Sequence, residues 1–202
     1  MENRKEDRRV ERTRMLLHEA LMALILEKGY ESVTVQDILD RANLGRSTFY
    51  SHYRDKDDLF LKGFDHLQTM LEKQQSQMAD KTGGKSSEFN LSLELFRHAQ
   101  QNYRLYKALV GKHSGHMVMT HAHTLLSDVV RQYLEPYFKD KNKLVVSPEI
   151  LAHWLASSFL SLLTWWLDNN LPHTAEKMDE IFRQLTMPGL ETVLGHDLAI
   201  KS

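Results

Sequence analysis

Arg46, Ser47, Thr48, Tyr50, His52 and Lys56 fall within eleven residues of one another, and their types suit a nucleic-acid duplex. An arginine can reach guanine O6 and N7 with two parallel hydrogen bonds, whereas Ser, Thr, Tyr and His donors suit phosphate oxygens. Lys56 follows Asp55, which can cap a helix with Asp58 three residues on. A lysine in such a first turn adds a full charge to an end that already attracts phosphate. Side chains like these read DNA only if a rigid element holds them on one outer face.

The preceding residues predict that element. Thr34 can cap a short helix, Asp37 stands three residues on as in a capping box, and Val33 can staple against Ile38. Ile38, Leu39 and Ala42 give this helix one apolar side. Asn43 tolerates the left-handed conformation that ends a helix, and Asn43-Leu44-Gly45 makes the turn. Gly45 then opens a second helix over 46–53, in which Phe49 and Tyr53 lie four apart and face inward. Arg46, Ser47, Thr48, Tyr50 and His52 are left on or near the outer side. Helix, tight turn and helix at this spacing is a geometry that seats a helix in the major groove. Asp37 and Asp40 read as solvated helix charges.

From about Arg12 to Leu67 the chain resembles the TetR (tetracycline-repressor-like) family of transcriptional regulators. The likeness runs through Ala20, Gly29-Tyr30, Thr34-Val35, Ile38, Ala42, Leu44, Thr48-Phe49-Tyr50, His52-Tyr53, Lys56 and Leu59-Phe60. It implies that Arg46, Ser47 and Thr48 read bases or nearby backbone, that Tyr50, His52 and Lys56 hold phosphates, and that Gln36 can also touch DNA. Gly45 departs from the family, which more often places a serine or similar cap there.

Composition fits this reading through local rather than global charge. The formal net charge is −1, and residues 1–62 carry twelve Lys or Arg against twelve Asp or Glu. Residues 41–56, however, hold Arg41, Arg46, Arg54 and Lys56 against Asp55 alone. The leading tail holds Arg4, Lys5, Arg8, Arg9, Arg12 and Arg14 against four acids. Modest non-specific affinity for DNA follows. The absence of cysteine excludes disulfides and thiolate chemistry and is compatible with a reducing cytoplasm. The charged start is unlike a secretory signal.

Helical periodicity dominates the whole chain, so the fold class is all-α: a three-helix DNA-binding domain over 1–54, then a larger effector and dimerisation domain over 55–202. The first helix is expected over 8–28, with Leu17, Ala20, Leu21 and Leu24 as its stripe and Gly29 at its end. A fourth, over 56–78, carries Phe60, Phe64, Leu67 and Leu71 and leads into a loop at 80–87. Further helices are expected over 91–110, with an interruption near Asn102, and over 117–138. Another follows Ser147-Pro148 to about Asn170, and Thr174 caps a last helix that Pro188-Gly189 should kink or split. The run 150–167 is eighteen residues without a charge, yet its His153, Ser157, Ser158, Ser161 and Thr164 make it a buried soluble helix rather than a membrane span.

That helix is apolar nearly all round, as expected when both its own domain and a partner cover it. Leu151, Leu155, Ser158 and Leu162, with Ile181 and Leu185, are the candidate dimer interface. The resemblance implies a four-helix contact between subunits and a two-fold symmetric operator. It also implies a small-molecule effector, for which Phe96, Tyr103, Tyr106, Met117, Trp154, Phe159 and Trp166 are the candidate lining, drawn from a pool that is mostly core packing. His113, His116, His121 and His123 have poor metal-ligand spacing: none pairs with another at i, i+4 and no acid lies between Lys112 and Ser127. No metal and no cofactor are expected. An enzyme is the alternative reading, but there is no Gly-x-Ser-x-Gly, His-Glu-x-x-His or phosphate-cradling glycine loop. A regulator of the same fold controlled by a protein partner is the other.

Overall fold

A computed structural model of the chain describes residues 2–63, 91–109, 113–135 and 146–194. Among these residues every regular element is helical. They are α1 (Glu2–Lys28), a 3₁₀ turn (Tyr30–Ser32), α2 (Val35–Ala42), α3 (Arg46–Tyr50), and α4, helical at 56–63. Then come α5 (Leu91–Gln101), α6 (Tyr103–Leu109), α7 (His113–Leu134), α8 (Pro148–Asp168) and α9 (Ala175–Leu194). Phe64, Leu67, Leu71 and the expected loop at 80–87 lie outside the described residues.

The chain divides into two compact units, Met1–Thr69 with Arg104–Val118, and Met70–Tyr103 with Met119–Ser202. The division expected at 54/55 therefore falls inside the first unit. The reason is packing: Leu59 and Phe60 of α4 are buried in the same core as Leu17, Leu21 and Ile25 of α1 and Ile38 and Leu39 of α2. Leu109 and Val118 belong to that core too. Tyr30 packs edge-on against Phe60, with ring centroids 5.2 Å apart. Full burial of side chains of this size is worth roughly 1.5–3 kcal/mol each against leaving them in water. The first helix starts at Glu2 rather than Arg8, because residues 2–9 are mostly good helix formers with nothing to break them.

The second unit is built from α5, most of α7, α8 and α9 around Phe96, Phe159, Phe182 and Trp166. Phe96 lies 4.7 Å from Phe159 and 5.5 Å from Trp166, centroid to centroid. The indole N–H of Trp166 donates to the His173 carbonyl at 2.9 Å, so this largest core side chain leaves no polar atom unpaired. Buried Ser92 of α5 donates to Asp179 of α9, which also faces the Arg183 guanidinium at 3.1 Å. Ser147 caps α8, accepting from the Ile150 N–H at 3.4 Å with Pro148 at the first helical position. α8 is long and apolar enough to cross a membrane by length, yet half of its most apolar stretch is buried inside this unit, as in a core helix. α9 runs unbroken through Pro188, so of the kink or split expected there the split does not occur. Gln184 and Pro188 are both exposed, so the carbonyl deprived of its helical donor is open to water.

Candidate nucleic-acid interface and effector region

Local chemistry builds the reading head. Thr34 Oγ1 accepts from the Asp37 N–H at 3.2 Å, and Asp37 Oδ2 accepts from the Thr34 N–H at 2.7 Å, a reciprocal capping box on α2. Lys28 adds an ion pair to Asp37 at 2.8 Å. Lys28 first, then the Thr34 side-chain and backbone donors, hold the Asp37 carboxyl well below the usual carboxylate range. Asn43 closes α2 in the left-handed region at φ 53°. Gly45 begins α3 with no side-chain cap, and a Cβ there would meet nothing within 4 Å, so the family's serine would fit without strain.

α3 is shorter than expected, ending at Tyr50 rather than Tyr53. Ser51 turns its hydroxyl back onto the Thr48 carbonyl at 2.7 Å, and the chain leaves the helix in a turn. Phe49 and Tyr53 still point inward and are buried. Arg46, Ser47 and Tyr50 are exposed, Tyr50 with 58% of its surface open although it is a large ring, while Thr48 and His52 are half-buried. Burial first, then the nearby Arg14 and Lys62 charges, push the His52 imidazole below its ordinary value. It is therefore neutral near pH 7 and offers one ring N–H.

The four cations of residues 41–56 differ in how their charge is used. Arg41 is closed off by two hydrogen bonds to Glu27, at 2.6 and 2.9 Å. Arg54 faces Asp58 at 3.4 Å. Lys56 turns inward: its ammonium donates to the Tyr30 and Val33 carbonyls, both at 2.9 Å, and lies 4.3 Å from the centre of the Tyr30 ring. Two of its three N–H donors are thus spent on the 3₁₀ turn, a role that the spacing of the sequence did not reveal. Asp57 beside it accepts from the Tyr30 hydroxyl. Of these four, Arg46 and Lys56 meet no acid, and of that pair only Arg46 is exposed. Its Nε and Nη2 donate to the Gln36 side-chain oxygen at 3.3 and 3.0 Å, and Gln36 in turn donates to Asp40 at 2.8 Å.

The family model for bacterial regulatory proteins of the tetR family matches residues 17–62, and that for a transcriptional regulator C-terminal region matches residues 88–188. The chain belongs to the TetR family of transcriptional regulators. It is 28% identical over 181 residues to YxbF of Bacillus subtilis, named an uncharacterized HTH-type transcriptional regulator; the match takes in 88% of this chain, which spans 45% of that relative's length. A TetR transcriptional regulator of Streptococcus agalactiae has a similar structure, with TM-score 0.62 and 25% identity over 91% of this chain and 98% of that one. The fold is also that of Thermus thermophilus FadR, a TetR family repressor solved in complex with lauroyl-CoA. Its TM-score is 0.60 at 20% identity, covering 88% and 94% of the two chains.

In this TetR-family chain the seven aromatic and methionine residues considered for an effector pocket do not share one cavity. Tyr106 and Met117 fall in the first unit, where burial pushes the Tyr106 phenol up to about 12 and Met117 packs on the α1–α2 core. Phe96, Phe159 and Trp166 are the packed centre of the second unit. Tyr103 donates to Asn170 at 2.9 Å, and Trp154 is 42% exposed. Among the described residues, Phe159 borders a small apolar gap with Leu95 and Leu126, and a cleft of about 580 Å³ lies between α7 and α8. α7 contributes Met119, Thr120, His123 and Thr124. From α8 come His153, Ser157, Leu160, Ser161 and Thr164. The Nε2 of His123 lies 2.9 Å from Ser157 Oγ, and the His123 and His153 rings meet edge-to-face at 4.5 Å. Of the other histidines weighed for metal, His116 is exposed, His121 half-buried, and the side chain of His113 lies outside the described ones; no metal-binding cluster occurs among the described residues.

Of the six interface candidates, Leu151 and Leu155 turn into the chain's own core, at 4% and 2% exposure, and have nothing left for a partner to cover. Ser158, Leu162 and Ile181 are partly open and Leu185 is 68% exposed. Three apolar side chains unmarked as interface by the sequence join them on α8: Ile150, Trp154 and Trp165, all more than 40% exposed. Their steps of four and eleven residues put them on one helical side.

Proposed function

We propose that this TetR-family protein is a dimeric, sequence-specific DNA-binding repressor in which Arg46 reads a base and Ser47, Thr48, Tyr50 and His52 grip the sugar-phosphate backbone of each half-site. The observation that carries this reading is the charge of Arg46, exposed in the first turn of α3 and free of any acid, whereas Arg41 and Arg54 face acids and Lys56 turns inward. Gln36 shares that edge. Lys56 keeps one N–H for a phosphate while its other two hold the turn at Tyr30–Val33.

Dimerisation through the outward side of α8 and α9 follows from the exposed Ile150, Trp154, Trp165 and Leu185 together with Ser158 and Leu162, since large apolar side chains gathered on one side mark an interface. The second unit then serves as effector and dimerisation domain. A small molecule bound there acts only through its different affinity for the DNA-competent and incompetent forms. A hundredfold loss of operator binding needs about 2.7 kcal/mol of such difference. The FadR complex with lauroyl-CoA supports a small-molecule effector over a protein one. The work is cytoplasmic and non-catalytic. A mobility-shift titration on DNA upstream of the protein's own gene tests the reading: a single shifted complex that resists competitor DNA is expected, and binding no tighter than to random duplex would refute it.

A further inference from the structure

The α7–α8 cleft has a chemical polarity along its length. At one end stand His123, His153 and Ser157; towards the other lie Met119, Leu160 and Thr164. Among the described residues no Asp, Glu, Lys or Arg lines it, and His123 and His153 stand together there. Their edge-to-face contact at 4.5 Å gathers ring N–H donors at one place, and no charged lining group faces them. Ser157 already lies in line with His123 Nε2 at 2.9 Å and can turn its hydroxyl to a second acceptor. The volume of about 580 Å³ is that of an open groove, with Thr120, Thr124, His153 and Ser161 of its lining exposed to solvent. From His153 to Thr164 the helix rises about 16 Å, which limits the length of an occupant.

We infer that this cleft binds a small amphipathic carboxylic acid. Its carboxylate accepts hydrogen bonds from His123, His153 and Ser157, and its apolar body lies along Met119, Leu160 and the methyl of Thr164. The inference deepens the effector reading above and rests on it only for the consequence at the operator; binding itself stands apart. A carboxylate meets those donors with a full charge, and a neutral isostere does not.

Calorimetric titration of the intact protein with benzoate, octanoate and the neutral isostere benzamide tests this. At least one acid binds, and benzamide binds tenfold or more weakly, as expected for loss of a charge-assisted hydrogen bond. Benzoate binding alone assigns an aromatic acid, and octanoate binding alone assigns an aliphatic one. His153→Gln, at an exposed position that leaves the fold intact, removes the preference for acid over amide, and His123→Gln does the same. The inference is overturned if neither acid binds at millimolar concentration, if benzamide binds as well as benzoate, or if both glutamine variants bind the acid like the parent. Binding that appears only on adding zinc overturns it in favour of a metal site. A mobility shift that persists in any of these cases leaves the DNA-reading head standing.

Discussion

Among the described residues the two units differ in how far along the chain their polar side chains reach, up to 27 residues in the first, from Tyr30 to Asp57, and up to 87 in the second, from Ser92 to Asp179. In the first, polar groups close small local circuits at the surface: Thr34 with Asp37, Gln36 with Asp40 and Arg46, Asp55 accepting from the Asp58 N–H at 2.7 Å. In the second, they join residues far apart in the chain: Ser92 to Asp179, Arg97 to Glu176 at 3.0 Å, Tyr103 to Asn170, His123 to Ser157. Local circuits fix helix ends and so fix which side chains face outward, the requirement of a reading head. Long-range pairs fix how helices lie against one another, the requirement of a cleft.

The sharpest way to break this comparison is to empty each core in turn. Phe49→Ala in the first unit and Trp166→Ala in the second should each cost about 3–5 kcal/mol in denaturant unfolding. Because Trp154, Trp165 and Trp166 are the chain's three tryptophans, their emission reports the second unit while Phe49→Ala perturbs the first. Losses below about 1 kcal/mol would show that these are not packed cores.

Lys56→Met comes next, and it decides between clamp and contact. Leaving the Tyr30 and Val33 carbonyls without their donor should cost about 1–3 kcal/mol of stability. If the third N–H also holds a phosphate, the slope of log affinity against log salt falls by about one. Lost stability with an unchanged slope would leave Lys56 a clamp only.

Caps give the smallest effect and refine the contrast. Thr34→Ala opens a reciprocal capping box and should cost about 1 kcal/mol, whereas Ser147→Ala gives up one 3.4 Å bond beside a proline that already favours the helix start, and should cost less. Equal melting shifts would deny that the first unit depends more on its local circuits.

The same contrast explains what was legible in the sequence. The Thr34–Asp37 box, the left-handed Asn43, the start at Gly45 and the Asp55 cap all act over three or four residues, so spacing alone displays them. The role of Lys56 was half visible: its place in the first turn is local, but the carbonyls it holds lie 23 and 26 residues earlier. The end of α3 at Tyr50 escaped because Phe49 and Tyr53 face inward equally well from a helix or from a turn. In the second unit, aromatic and apolar spacing marks α8 and α9 but not which side of each points out, so spacing alone does not separate buried Leu151 and Leu155 from exposed Leu185. The cleft was invisible, since His123 meets Ser157 across 34 residues and no periodicity records that.

The central claim is that Arg46 reads a base from an exposed α3, and selection of bound sequences from random DNA, run with the parent and with Arg46→Ala, tests it most directly. The parent should enrich a two-fold symmetric site. The variant should lose about 1–3 kcal/mol on that site and relax its preference at one position in each half. An enriched site that Arg46→Ala binds with undiminished affinity and unchanged preference would contradict it.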